Sequence, residues 1–394
     1  MQDDRGESAE RREVGRIRGT AGGPTLVVLG GIHGNEPAGM LAAERVLRAL
    51  AGVPGAVRGE VVFLAGNLTA LRHKARFIDE DLNRRWTPEK VAAIRDAPGT
   101  RPHVEREEQR ELLAALAGIV EGRRDLYFVD LHTTSAPGPP FVTVGDTLRN
   151  RRFAGSLPIP LILGLEEQVD GALVEFLNNR GVVAMGVEGG QHLAAESVDN
   201  LEAAVWLGLV AAGVCDPAAG LPVELESQRE RLRRASRGFP RVVEVRRRHP
   251  VRPGDGFQMG AGFANFRPIR RGQVLASSHA GPIHAPESGL LLLPLYQGLG
   301  DDGFFVAREV RRFWLLLSAG LRRLRLCRIL PWLPGVRLHP QDSGVLVVDT
   351  RVARWYPLEI FHLFGFRKLR ASGAELVVSR RRYDLVPPPQ IRVS

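Results

Sequence analysis

TLVVLGGIHGNEP, residues 25–37, is the segment from which the fold class is predicted first. Its first half is a nearly continuous apolar run, which is typical of a buried strand in an α/β sheet. Two glycines follow, and Pro37 stands where a helix would begin. A strand that leads through a short turn into a helix is the first unit of a sheet covered by helices.

Strand and helix patterns continue to alternate after this unit. Further strands are predicted at 60–67, 125–132, 158–164 and 181–190, and further helices at 103–122 and 194–213. The alternation predicts an α/β fold, with a mainly parallel mixed sheet and helices on both faces. Such sheets place their functional sites at the carboxyl ends of the strands.

Beyond this region, the pattern of residue types along the 394-residue chain changes twice. We expect a catalytic domain at 1–214, a polar linker at 215–240, a small β-rich domain at 241–310 and a basic extension at 311–394. Short strands divided by Gly and Pro indicate the β-rich domain. The extension carries 15 Arg and one Lys against five acidic residues, which accounts for the net charge of +10.

The basic extension contains no recognisable nucleic-acid motif, so we predict no nucleic-acid partner. Its stretch 313–333 is apolar at first and then interrupted by arginines, which excludes an ordinary membrane-spanning helix. We expect a packed amphipathic helix there, and the alternative is a helix on an anionic membrane surface. Docking of the extension against the catalytic domain, or a contact between copies of the chain, are the roles we expect for it.

Two cysteines, Cys215 and Cys327, lie far apart and form no CxxC pair. This pattern argues against both a thiolate metal site and a disulfide framework. The first residues, MQDDRGESAERR, lack the apolar segment of a secretory signal. We therefore expect a cytoplasmic location.

A metal site is predicted by GGIHGNE, residues 30–36, together with His132. The H-x-x-E spacing lets His33 and Glu36 reach one ion from a single turn. His132 ends another buried strand, DLYFVDLH, and should lie at the same edge of the sheet. Two His and one Glu leave a fourth position open, as in catalytic zinc sites. Asp130 is placed to orient one of these ligands.

Two further motifs complete the expected site. RFIDEDLNRRW, residues 76–86, contains Arg76, Asn83 and Arg84. These side chains could bind a substrate carboxylate or polarise the carbonyl that is attacked. The alternative is a solvent-exposed, charged helix start, which has the same pattern. Glu188 ends an apolar strand in GVEGGQH, where it could take a proton from the attacking water. His192 is either a ligand-orienting residue or an ordinary hydrogen-bonded histidine.

These motifs, in this order, resemble those of the succinylglutamate desuccinylase and aspartoacylase family, which is similar in fold to the zinc carboxypeptidases. The resemblance covers roughly residues 10–310. It implies one zinc ion held by His33, Glu36 and His132, with Glu188 as the catalytic base. It also implies that Arg76 faces the carbonyl and that Asn83 and Arg84 hold the substrate's α-carboxylate. The segment 241–310 resembles the family's second domain, which caps the site.

The chain departs from this pattern where aspartoacylase-type members carry an arginine for an acidic side chain. The nearest arginine, Arg180, is offset, and Asn178 or Asn179 falls closer. We therefore expect a zinc amidohydrolase acting on an N-acyl amino acid or a related small carboxylate-bearing amide, but no preference for acetylaspartate. The alternatives are a metallocarboxypeptidase acting on short peptides and a non-catalytic binding protein that works through its basic tail.

Overall fold

The computed structural model describes residues 11–96, 103–353, 358–372 and 374–392. Its strands are β1 Glu13–Arg18, β2 Ala21–Gly30, β3 Arg58–Ala65, β4 Leu126–Thr134, β5 Phe141–Thr143, β6 Leu161–Leu163, β7 Val183–Gln191, β8 Val242–Pro250, β9 Gln258–Met259, β10 Arg267–Ile269, β11 Val274–Ser278, β12 Gly281–His284, β13 Gly289–Leu292, β14 Asp302–Glu309, β15 Val336–His339, β16 Asp342–Asp349, β17 Phe366–Ser372 and β18 Glu375–Arg380. Its α-helices are α1 Pro37–Ala51, α2 Leu68–His73, α3 Pro88–Asp96, α4 Val104–Val120, α5 Leu148–Ala154, α6 Leu173–Asn178, α7 Ala195–Ala211, α8 Leu225–Ala235, α9 Arg312–Arg323 and α10 Leu358–Leu363.

One large sheet runs through most of the described chain, in the order β1-β3-β2-β4-β7-β5-β6-β8-β14-β13-β10. The pairs β3–β2, β2–β4, β4–β7 and β5–β6 are parallel, whereas β1 pairs antiparallel with β3 and β5 pairs antiparallel with β7. The predicted fold class, a mainly parallel mixed sheet with a smaller β-rich region, is confirmed.

Helices cover both faces of the sheet because successive strand side chains point to opposite sides. In β2, Leu26 and Val28 belong to one hydrophobic core, whereas Val27 and Leu29 belong to another. The first core includes residues of α1 and α7, and the second includes residues of α4. The continuous apolar run that opened the sequence is therefore explained by burial on both faces.

The chain reverses its direction of travel across the sheet at β2. It passes from β2 to β3 on one side and later returns to β4 on the other. At such a switch point the connections diverge and leave a crevice at the carboxyl ends of the strands. The loop after β2 and the end of β4 both lie there.

The strands of the segment 241–310 are divided between two sheets. Strands β8, β14, β13 and β10 extend the large sheet beyond β6, and β9, β11 and β12 form a separate three-stranded sheet. Phe141 of β5 and Phe305 of β14 lie in one shared hydrophobic core. The region expected to cap the site is thus continuous with the sheet that carries it.

The last segment has its own sheet, ordered β15-β16-β18-β17, and its own hydrophobic core. Residues 313–333, expected as one helix, form α9 and then a separate 3-10 helix, Leu326–Trp332. Ser318 and Arg322 of α9 are buried, whereas Phe313 and Leu316 are exposed. A polar face therefore packs inward, because Arg322 pairs there with Asp146. No helix in the described residues has the length and apolar character to cross a membrane.

Candidate metal centre and active site

The loop after β2 brings His33 and Glu36 together. Gly31 has φ +69°, and a Cβ on Gly34 would lie 2.0 Å from the backbone carbonyl carbon of Ala70. Only glycine fits such a close approach, so the tight turn depends on these positions. The turn ends at Glu36, immediately before α1.

The loop meets the end of β4 at His132. His33 Nδ1 lies 2.9 Å from Glu36 Oε1, and His132 Nδ1 lies 3.3 Å from Glu36 Oε2. The candidate ligand atoms of all three residues lie within 4.8 Å of one another, and all three side chains are buried. The structure therefore gathers the predicted triad.

A second carboxylate stands behind each imidazole. His33 Nε2 lies 3.0 Å from Asp81 Oδ1, and His132 Nε2 lies 3.0 Å from Asp130 Oδ2. With Nε2 facing these outer carboxylates, Nδ1 is the ring atom directed toward Glu36. Carboxylates that fix the tautomer and orientation of a ligating histidine are common around metals.

The glutamate and the histidines of the triad shift each other's pKa values. Burial alone would raise the pKa of Glu36, but His33 and His132 hold that pKa well below its ordinary value. Burial likewise opposes the charged form of His132, but Asp130 and Glu36 hold its pKa well above the ordinary value. Two imidazole nitrogens and a carboxylate converging in a buried site form a donor set that fits zinc.

Glu188 lies beside the triad on β7, where its Cα pairs with that of His132 across the sheet. Its Oε2 is buried and has no hydrogen-bond partner among the described residues. Burial raises the pKa of Glu188 to about 7, and His132 opposes the shift. A carboxyl group with this pKa can both accept and donate a proton near neutral pH.

The predicted arginine cluster also reaches the site, and its groups are already engaged. Arg76 lies 3.0 Å from Asp81 and 3.5 Å from Glu36. Arg84 donates through Nη2 to Asp302 at 2.8 Å, and Asn83 Oδ1 accepts from the Leu173 N–H. The Nε atoms of both arginines are buried and lack a partner within the described residues.

A cavity of about 180 Å³ joins these groups. Its lining includes the triad and Glu188. Arg76, Asn83 and Arg84 also belong to it. His192 also contributes, 2.8 Å from Thr133 Oγ1 and 3.3 Å from Gln297 Oε1, and burial lowers its pKa. Residues 293–302 form another part of the lining, so the later segment helps to enclose the site.

Several cavity or triad contacts were not predicted. Asp81 was part of the quoted motif, but the letters do not show which acid of D-E-D faces His33. The Thr133 N–H donates to Glu36 Oε2 at 2.9 Å, a backbone contact without a sequence signal. Asp302, Glu166 and Glu175 also line the cavity.

Arg180, the nearest arginine upstream of Glu188, does not line this cavity. Its guanidinium lies 3.6 Å from the centre of the Phe176 ring, and its Nη1 donates to the Phe176 carbonyl. Asn178 and Asn179 are likewise outside the lining.

The fold and the site together define a class of protein: an α/β sheet that gathers two histidines and a glutamate at its carboxyl edge. A family model described as the succinylglutamate desuccinylase/aspartoacylase catalytic domain matches residues 22–198. The resemblance to the succinylglutamate desuccinylase/aspartoacylase family is thereby confirmed over this domain.

Similar curated proteins are named succinylglutamate desuccinylase. That of Pseudomonas paraeruginosa (strain DSM 24068 / PA7) is 35% identical over 121 residues, which are 31% of this chain and 34% of the relative. That of Pseudomonas fluorescens (strain SBW25) is 33% identical over 111 residues, 28% of this chain and 31% of the relative. The alignments thus span about a third of the length of these relatives.

Solved structures show the same fold over a longer part of the chain. A succinylglutamate desuccinylase/aspartoacylase from Rhodobacter sphaeroides has a TM-score of 0.55 at 20% identity, covering 75% of this chain and 88% of that one. A succinylglutamate desuccinylase from Vibrio parahaemolyticus has a TM-score of 0.54 at 16% identity, covering 74% and 82%.

Proposed function

We propose that this protein is a zinc-dependent amidohydrolase that removes the acyl group from an N-acyl amino acid or a related small carboxylate-bearing amide. The observation that carries the proposal is the convergence of His33, Glu36, His132 and Glu188 on one cavity. The first three would hold one zinc ion, which supplies Lewis acidity at the reacting carbonyl and water when bound.

The protein's own groups account for the proton transfers. Glu188 takes a proton from the water that attacks the acyl carbon, and its nearly neutral pKa suits this role. The same carboxyl group then gives the proton to the nitrogen as the C–N bond breaks, so the products are a carboxylate and a free amine. Arg76 donates to the carbonyl oxygen as negative charge develops there.

Asn83 and Arg84 orient the substrate through its carboxylate. Arg84 is bonded to Asp302 from β14, so the substrate carboxylate shares this guanidinium with an acid of the later segment. The cavity is small and is enclosed on one side by residues of the segment 293–302, which favours a single acylated amino acid over a peptide chain as substrate. Comparing N-acyl amino acids with short peptides tests this preference, and faster cleavage of peptides would favour a metallocarboxypeptidase.

Glu188→Gln tests the proposed mechanism. The amide keeps the size of the side chain but cannot accept the proton, so we expect kcat to fall about 10²- to 10⁴-fold. Zinc content, measured by atomic emission on purified protein, stays unchanged because Glu188 is not one of the proposed ligands. Glu196→Gln, in the exposed first turn of α7, is the matched control. Full activity in the Glu188 variant would refute the assigned role.

A further inference from the structure

Part of the catalytic cavity is lined by two carboxylates that the mechanism does not use. Glu166 belongs to the 3-10 helix Leu165–Glu167, and Glu175 belongs to α6. Both line the same cavity as Glu188. We call this pair the acidic wall.

The register of β5 against β7 places the acidic wall away from the reacting groups. Phe141 pairs with Glu188, and Thr143 pairs with Gly186 two residues further. The chain continues from Thr143 to Asp146, whose N–H donates to Glu166 at 3.3 Å. Since two strand residues span about 7 Å, Thr143 is displaced by roughly that distance along the sheet from Glu188, and the chain then runs on to the contact between Asp146 and Glu166. This separation suits the far end of an amino-acid side chain whose acylated nitrogen is beside Glu188.

One carboxylate oxygen of the acidic wall is unpartnered. The Glu166 side chain is only 7% exposed, and its Oε1 accepts from Arg381 at 2.7 Å. Its Oε2 is buried and has no hydrogen-bond partner among the residues that the structure describes. Because a buried acceptor without a donor is costly, this oxygen is suited to a donor on the ligand.

The cations next to the acidic wall are bonded to its carboxylates and do not line the cavity. Arg381 is shared between Glu166 and Glu167, and Arg367 pairs with Glu175. Burial raises the pKa of both Glu166 and Glu175, so these pairs do not fully compensate for their desolvation.

The arginines that do line the cavity, among the described residues, are Arg76 and Arg84, and both are bonded to aspartates. Arg180, the nearest arginine upstream of Glu188, lies outside the lining. The wall therefore presents acceptors where a carboxylate-binding site would present donors.

We propose that the acidic wall binds a primary ammonium group, so that the substrate is the N-acyl derivative of a diamino acid of about the length of ornithine or lysine. This inference rests on the proposed amidohydrolase function and specifies its substrate class. An ammonium group supplies three donors and a positive charge to Glu166 Oε2 and to the Glu175 carboxylate.

A substrate series on the unmodified, zinc-loaded protein gives the first test. Nα-acetyl-ornithine, Nα-acetyl-norleucine and Nα-acetyl-glutamate share the α-carboxylate and differ in the end of the side chain. We expect kcat/KM for the ornithine derivative to exceed that for the nearly isosteric norleucine derivative at least about tenfold, with the glutamate derivative lowest. Equal values, or a preference for glutamate, would overturn the inference.

Variants of the wall give the second test. In Glu166→Gln and Glu175→Gln, the ratio of the ornithine to the norleucine value should fall toward one, because an amide carries no charge to attract the ammonium. Glu60→Gln is the matched control, since Glu60 is also buried and paired with arginines but lies at the amino end of β3. A merely structural role would lower both substrates alike and leave the ratio unchanged, which would contradict the inference.

The two proposals fail in different ways. Turnover of norleucine or glutamate derivatives without a cationic preference refutes the acidic wall alone. Absence of turnover across the whole series refutes the amidohydrolase and the acidic wall together. Calorimetric binding of free ornithine, norleucine and glutamate checks the preference independently of catalysis, and stronger binding of glutamate would again refute the wall.

Discussion

Each histidine of the candidate triad lies between Glu36 and an outer carboxylate. Asp130 is fully buried, and its Oδ2 is 3.0 Å from His132 Nε2. Since outer carboxylates orient ligating imidazoles, Asp130→Asn should weaken zinc binding about 10- to 100-fold with little change in fold. Competition with a chromogenic chelator measures this affinity.

The exposed Asp125, which precedes β4, provides the control as Asp125→Asn. Its zinc affinity should equal that of the unmodified protein. If Asp130→Asn also retained the original affinity, Asp130 would have no role in orienting His132.

At the residue scale, the sequence predicted that His33, Glu36 and His132 would meet. The reason is local: each follows a strand whose apolar run is unmistakable, and neighbouring parallel strands end at one edge. The sequence did not predict the arrangement of Asp302 against Arg84. That contact joins residues far apart in the chain, and its partner depends on how β14 pairs with β8.

At the scale of elements, α9 shows where periodicity fails. Its apolar residues predict a helix with a buried apolar face, but Arg322 is 2% exposed while Phe313 is 64% exposed. Arg322 bonds Asp146 at 2.8 Å and the carbonyl of His362. A hydropathy pattern cannot predict this reversal, because it assigns every arginine to the solvent-facing side of a helix. It does not record whether buried hydrogen-bond acceptors lie opposite the guanidinium group.

Removal of the Arg322 side chain should destabilise the protein strongly. Arg322→Ala leaves Asp146 with one fewer cation in a buried setting, and breaking a buried pair costs about 3–5 kcal/mol. Urea unfolding measures the loss. Arg323→Ala, at the exposed neighbouring position, should change the stability by less than about 0.5 kcal/mol. Similar small effects of both variants would contradict the role of Arg322.

The histidine of α10 should make stability depend on pH. His362 lies 3.1 Å from Glu167 and 2.9 Å from Glu244, and although burial opposes its charged form, these carboxylates raise its pKa to about 9. A raised pKa means that the stabilisation is complete below about pH 6.5 and is lost as the pH rises through 9. The shift corresponds to about 3 kcal/mol.

Urea unfolding at pH 6 and pH 9.5 tests this prediction on the unmodified protein and on His362→Gln. The unmodified protein should lose about 3 kcal/mol more than the variant over this range. Equal losses would show that His362 does not contribute. The acids paired with it, Glu167 and Glu244, have lowered pKa values, so their own contribution is lost only toward acidic pH.

At the scale of the whole molecule, composition predicted a basic last segment but not its connections. Arg322, Arg367 and Arg381 of this segment all pair with acids of the earlier chain. Part of its positive charge is therefore neutralised within the protein, in agreement with the expected docking of the extension. The sequence could not show this, since the acids are scattered over Asp146, Glu166 and Glu175 without a local pattern.

The proposed hydrolytic activity depends on a metal ion at the triad. The most direct test is hydrolysis of N-acetyl amino acids by the protein before and after chelation, and again after zinc is returned. We expect turnover to disappear with the metal and to return in proportion to zinc, reaching its maximum at about one ion per chain. Undiminished turnover in protein shown by elemental analysis to be free of metal would contradict the central claim.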